Sequence, residues 1–143
     1  MAKPTTVRGS KFLFQIGDGG SPETFIAPCA LNSKGFNRSA NTNDFEVQDC
    51  NDPDDPVWID RVKSAFTAGI SGSGTYAKES ADLYDDFYES VESRNCRVVI
   101  DFPVGPRTYE GRFHLTNLNI TGNHGELVQA ELEFVSDGVV SRV

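Results

Sequence analysis

Apolar positions in this chain recur mostly every second residue, and one stretch changes to the period of a helix. That stretch is Lys78–Arg94, KESADLYDDFYESVESR. Leu83, Tyr84, Phe87, Tyr88 and Val91 fall at i, i+1, i+4, i+5 and i+8 and make one apolar stripe. Asp82, Asp85, Asp86, Glu89, Glu92 and Ser93 fill the other side. The spacing predicts a helix with its body at 79–94. Ser80 is placed to accept a hydrogen bond from a first-turn N–H, and Asp82 suits the positive end of the helix dipole. Arg94 suits the negative end, and Asn95 is a sensible stop.

The rest reads as strand or loop. Lys11–Ile16, the turn residues Asp18-Gly19-Gly20 and the run to Cys29 suggest a β-hairpin. Leu31–Ser39 is a weakly patterned strand, SANTND a turn, and Asp44–Gln48 a short strand with Phe45 and Val47 on one side. Asp49–Asp60, DCNDPDDPVWID, offers no core face and reads as loop. Its Trp58 either contacts a partner or anchors the loop to its own subunit. In Ser64–Tyr76, Phe66, Ala68 and Ile70 share a face, and Gly69, Gly72 and Gly74 admit close approach of another backbone or the helix.

Past the helix, Cys96, Val98, Ile100 and Phe102 alternate with Arg97, Val99 and Asp101, and Pro103–Pro106 turns the chain. Arg107–Thr121 is a long strand in which Tyr109, Gly111, Phe113 and Leu115 share one phase while Leu118 and Ile120 take the other. A one-residue bulge near Thr116–Asn117 would reconcile the two phases. After the turn at Gly122–Gly125, Val128, Ala130, Leu132 and Phe134 alternate with Gln129, Glu131 and Glu133. The expected fold is mainly β: an antiparallel β-sandwich or partial barrel with one flanking α-helix. A single domain is expected at 11–136, with a flexible arm at 1–10, a long loop at 40–60 and a free tail at 137–143.

Composition narrows the function. Among 143 residues, 38% are hydrophobic, below the globular average, which suits a subunit that completes its burial against copies of itself. A formal charge of −8 argues against tight binding to phosphate backbones. No apolar run reaches membrane-spanning length, and MAKPTTVRGSK lacks the apolar core of a signal peptide, so a cytoplasmic start is expected. Cys29, Cys50 and Cys96 have no paired spacing and read as packing residues or free thiols.

Catalysis has little to stand on. His114 and His124 are the only near-neutral bases, and neither lies in a nucleophile motif. Asn51–Asp55 lacks the spacing of a calcium loop. Gly17–Gly20 joins strand to strand with no following Lys-Ser/Thr, so a hairpin turn explains it better than a phosphate cradle. No catalytic, cofactor or metal site is expected.

The order of features resembles the major tail protein family of long-tailed bacteriophages, including the tail tube subunits of gene transfer agents. KFLFQIGDGGSPETFIAP, the long polar loop between Ser39 and Asp60, and FTAGISGSGTY running straight into ESADLYDDFYESVES carry the resemblance. Strand CRVVIDF and the closing hairpin YEGRFHLTNLNITGNHGELVQAELEFVS complete it. The resemblance implies hexameric rings whose sheets join into a barrel and stack into a DNA-conducting tube. It also implies partners: a tape measure protein, a tail terminator and a distal tail protein. The implied location is the virion tail, assembled in the host bacterial cytoplasm without a membrane.

On that reading Gln129, Glu131, Glu133, Asn117 and Asn119, joined by Asp44 and Glu46, are candidates to face an acidic lumen. Lys3, Arg8, Asp52, Asp54, Asp55, Trp58 and Arg142 are candidates for contacts between rings. Two competing expectations are a related ring protein (terminator, distal tail or secretion-system tube) and a β-sandwich carbohydrate-binding module or small hydrolase.

Overall fold

The computed structural model describes residues 3–19, 24–28 and 30–143. The expectations for Met1, Ala2, Gly20 and Cys29 lie outside them. Strands are β1 (Phe12–Gly17), β2 (Phe25–Ile26), β3 (Leu31–Phe45), β4 (Asp60–Thr75), β5 (Arg94–Phe102), β6 (Gly105–Thr121) and β7 (Gln129–Arg142), with helix α1 at Lys78–Glu89. The strands form a seven-stranded sheet, ordered β2-β1-β5-β6-β7-β4-β3. β1–β2, β1–β5, β5–β6, β6–β7 and β7–β4 all pair antiparallel. The mainly β architecture with one flanking helix is present, as an open sheet. By contacts the chain divides into two compact units, Met1–Asn37 with Ala68–Val143, and Arg38–Thr67.

The first unit holds the core. Phe14 and Ile16 of β1, Cys96 and Val98 of β5, Phe113 and Leu115 of β6, Leu132 and Phe134 of β7, and Ala68 and Ile70 of β4 point to one face. Tyr84 and Phe87 of α1 cover it. Phe134 sits centrally, its ring centroid 4.9 Å from that of Phe14 and 5.6 Å from that of Phe87. Each such side chain removed from water contributes roughly 1.5–3 kcal/mol. Gly74 matters for this packing: a Cβ there would run into the carbonyl of Ala30 and the backbone of Leu31 and Asn32. The approaching partner at this glycine is thus a backbone.

The bulge between the two phases of β6 is where the alternation required it. Leu115 pairs with Phe134, but Asn117 pairs with Glu133, so Thr116 is the extra residue. Beyond it Leu118 and Ile120 face Leu132 and Ala130 on the core side.

Several boundaries differ from expectation. The helix ends at Glu89 rather than reaching Arg94. Ser90 stops it: its N–H still donates to Asp86 O, while its Oγ accepts from the Glu92 N–H in a tight turn. Val91 is therefore 93% exposed and lies outside the stripe. Ser80 does not cap; Ala77 occupies the N-cap without a side-chain bond, and Ser80 is buried in the first turn. Arg94 and Asn95 open β5, and the Arg94 guanidinium lies 5.5 Å from the Phe87 ring centroid.

The SANTND turn is not a turn. β3 runs unbroken from Leu31 to Phe45, so the expected strand at Asp44–Gln48 is only its end. Likewise 137–143 is no free tail. β7 continues to Arg142, which faces Tyr109 across the ladder, and the Val143 N–H donates to Thr108 O at 2.9 Å. A second register shift, between Gly111 and Phe113 of β6, accommodates Asp137–Val139 of β7, with Gly138 at φ +93°.

The second unit, Arg38–Thr67, comprises the outer parts of β3 and β4 and the connection 46–59. The Ser64 hydroxyl donates to Asn41 O at 3.2 Å, and Arg61 Nε lies 3.1 Å from Asp44 Oδ1, tying the two strands together. Every residue of this unit is exposed apart from half-buried Val57.

Candidate functional site

In the first unit, the face of the sheet opposite the core is polar and ordered in rows. Directly paired residues share a face, so the ladder fixes the arrangement. Asn117 pairs with Glu133 and Glu133 with Ser71; Asn119 pairs with Glu131 and Glu131 with Ser73. Thr121, Gln129 and Thr75 make a third row. Five of the seven proposed lumen residues, Asn117, Asn119, Gln129, Glu131 and Glu133, thus stand together and exposed.

A cavity of about 300 Å³ opens on this surface, lined in part by Ser33, Ser71, Ser73, Asn117, Glu131 and Glu133. Lys34 also lines it, and its Nζ donates to Phe12 O at 3.1 Å. Ser71, Ser73 and Thr75 were missed in the sequence reading. Their signal was available: they take the phase opposite Ala68 and Ile70.

Farther along the same face, Arg97 pairs with Glu110 across β5 and β6, with a 3.7 Å ion pair between them. The Arg97 guanidinium lies 3.8 Å from the Phe25 ring centroid. His114 Nε2 lies 3.4 Å from Asp137 Oδ2 at the second register shift. The rows around Glu131 and Glu133 are therefore hydroxyl, amide and carboxylate, while farther along the same face stand Val135, His114, Arg97 and Arg112.

Asp44 and Glu46 belong to the second unit, where Asp44 is engaged by Arg61 and Glu46 lies just past the end of β3. Asp52, Asp54, Asp55 and Trp58 sit in the 46–59 connection, all exposed. The connection is braced locally, with Asn51 N–H donating to Asp49 Oδ1 and Asp55 N–H to Asp52 O. Lys3 and Arg8 are exposed ahead of a single 3₁₀ turn at Gly9–Lys11. Arg142 is held in β7.

Sequence reasoning also missed the apolar surface of the second unit. Phe45, Val47, Trp58, Ile59, Val62 and Phe66 are all exposed, Trp58 at 94%. Among the described residues no His, Cys, Asp and Glu group could hold a metal ion, and no helix is long and apolar enough to cross a membrane. On the first unit's helix side, burial and the Asp85 and Asp82 carboxylates push the Tyr76 phenol above its ordinary value.

The sequence model of one family, described as phage tail tube protein, matches residues 6–142. The chain belongs to the phage tail tube protein family. This is a structural family, not an enzyme family, and it makes the chain a component of a phage-type tail.

A comparison with curated proteins returns no match. Among solved structures, a chain from the tail of an empty gene transfer agent particle superposes with a TM-score of 0.79 at 19% identity, over 96% of this chain and 99% of that one. The SPP1 tail tube gives 0.68 at 10% identity, over 96% and 78%. A chain of the PVC extracellular contractile injection system, in its extended sheath/tube terminator, gives 0.67 at 14%, over 99% and 99%. At these identities the likeness is one of fold, and it agrees with the tail tube family.

Proposed function

We propose that this tail tube chain is the repeating wall subunit of a phage or gene transfer agent tail: hexameric rings of it stack into a tube whose acidic lumen conducts DNA. The observation that carries the reading is the sheet with two unlike faces, one packed under α1 and the other built of exposed polar rows. When such sheets join edge to edge in a closed ring, the layer that includes helices, each about 10–12 Å across, needs the larger circumference. The helices go outside and the rows Asn117–Glu133–Ser71 and Asn119–Glu131–Ser73 go inside. β3, fifteen residues long, and β2 are the outer strands of the sheet, and pairing with neighbours would remove an aggregation-prone edge.

The gene transfer agent tail that this fold matches has C6 symmetry, which supports six copies per ring. Such a ring carries a formal −48, six times −8. A wall of that sign repels phosphates over about 10 Å at 0.1 M salt, so a genome slides without sticking. Asp44 and Glu46 add to the ring's negative charge from the hairpin. A tape measure protein, a terminator and a distal tail protein complete the tail, which is assembled in the host cytoplasm.

Glu131→Lys with Glu133→Lys in particles leaves tubes intact and slows or blocks DNA delivery. Normal delivery by such particles would contradict the lumen assignment. The likeness to the terminator assembly favours one second reading, a ring that closes a tube end instead of repeating. Electron microscopy of the purified chain separates them: stacked tubes for the first, single rings for the second.

A further inference from the structure

We propose that Arg112 is a phosphate-contact residue, which in the assembled tube touches the DNA backbone and brakes the passing genome. The inference rests on the tube reading and adds one cationic level per ring to a wall that otherwise repels.

The wet face of the sheet is not uniform. Around Glu131 and Glu133 it offers carboxylates, amides and hydroxyls. On β5 and the part of β6 before Thr116 it changes to Asn95, Arg97, Glu110, Arg112 and His114, which the ladder sets on the same face. Most charges there are already answered. Arg97 lies 3.7 Å from Glu110 and stacks on Phe25, and His114 lies 3.4 Å from Asp137. Arg112 differs. It is exposed, and no carboxylate among the described residues forms an ion pair with it.

Arg112 is also held in place. Its Nε donates to Ser93 Oγ at 2.8 Å and its Nη2 donates to Ser93 O at 2.6 Å, and Ser93 itself is buried. Two neutral acceptors fix the plane of the guanidinium without cancelling its charge, and they leave most of its N–H donors for an acceptor outside the chain. A planar, pre-ordered guanidinium suits a phosphate, and a phosphate contact reads no sequence, as passage of a whole genome requires. With the C6 symmetry of the matching gene transfer agent tail, Arg112 recurs around one level of each ring. Each contact is weak and screened by salt, so it slows DNA without holding it.

The test compares particles carrying Arg112→Gln, Arg112→Lys or Ser93→Ala with unsubstituted particles, by the rate of DNA release at low and high salt. Dividing by the unsubstituted rate at each salt cancels the driving pressure of the packaged DNA. Arg112→Gln releases DNA about twofold faster at low salt, and the ratio approaches one at high salt. Arg112→Lys keeps the charge and stays near the unsubstituted rate, as does Ser93→Ala, which keeps the guanidinium. A ratio of one or below for Arg112→Gln at low salt would overturn the contact, as would a gain that salt does not diminish. Lys or Ala variants as fast as Arg112→Gln would make Arg112 a brace for the Ser93 turn. A changed tail length with unaltered release would place the contact on a protein inside the tube instead of on DNA. Tubes of the unsubstituted chain seen by electron microscopy with α1 lining the channel and Arg112 outside would contradict the tube reading itself.

Discussion

Strand β4 carries Ala68 and Ile70 at 6% and 3% exposure and, on the same phase, Val62 and Phe66 at 55% and 75%. The local chemistry is alike on both sides of Thr67. What differs is the cover: in the first unit α1 and the neighbouring strands remove the apolar row from water, and in the second nothing in the same unit does. Burial here is decided by tertiary neighbours and not by the strand's own pattern. The lesson extends to the polar face, where identical alternation yields rows that stay wet because nothing apolar opposes them. A hydrophobic row left wet in one copy is a position that assembly can use.

Two phenylalanines put that contrast to the sharpest test. Phe134→Ala removes a ring buried against Phe14 and Phe87 and costs about 3–5 kcal/mol in urea unfolding. Phe66→Ala changes monomer stability by no more than about 0.5 kcal/mol. Tube formation responds in the other sense, because Phe66→Ala raises the concentration needed for assembly in a folded chain. A large stability loss from Phe66→Ala would erase the distinction between the units.

A smaller effect sharpens the first unit alone. The Tyr76 phenol has a folded pKa raised above its ordinary 10.0, first by burial and then by Asp85 and Asp82. Both folded and unfolded chains hold the proton below that value, so stability is unaffected there. As pH rises from about 10 through the raised folded value, the unfolded state releases its proton first and stability falls. Tyr76→Phe removes this part of the alkaline loss, read as a shallower decline in thermal midpoint above pH 10.

Much of the first unit was legible in the sequence because its strands have one wet and one dry face. The phase change in β6 located the bulge at Thr116, and alternation placed Gln129, Glu131 and Glu133 opposite Ala130, Leu132 and Phe134. The failures have physical causes. Ser39–Asn43 is wet on both faces in the isolated chain, so its strand leaves no alternation to read. Asp137-Gly138 has turn chemistry, yet here it fills a register shift inside β7. The helical stripe ran on to Val91 in sequence, but Ser90 through Ser93 form their own turn, which Arg112 holds by donating to the Ser93 hydroxyl and carbonyl. Of the site, the polar rows were legible from phase alone, whereas Asp44 and Glu46 lie in the separate unit Arg38–Thr67, where no alternation against a core orders them.

The account's central claim is that the chain is the repeating wall of a tube, and amide hydrogen exchange on free subunit and assembled tube tests it most directly. The account predicts that residues 38–67 exchange rapidly in the free chain and become strongly protected in the tube, while β5, β6 and α1 change little. Equal protection of 38–67 in both states, with tubes present, would contradict it.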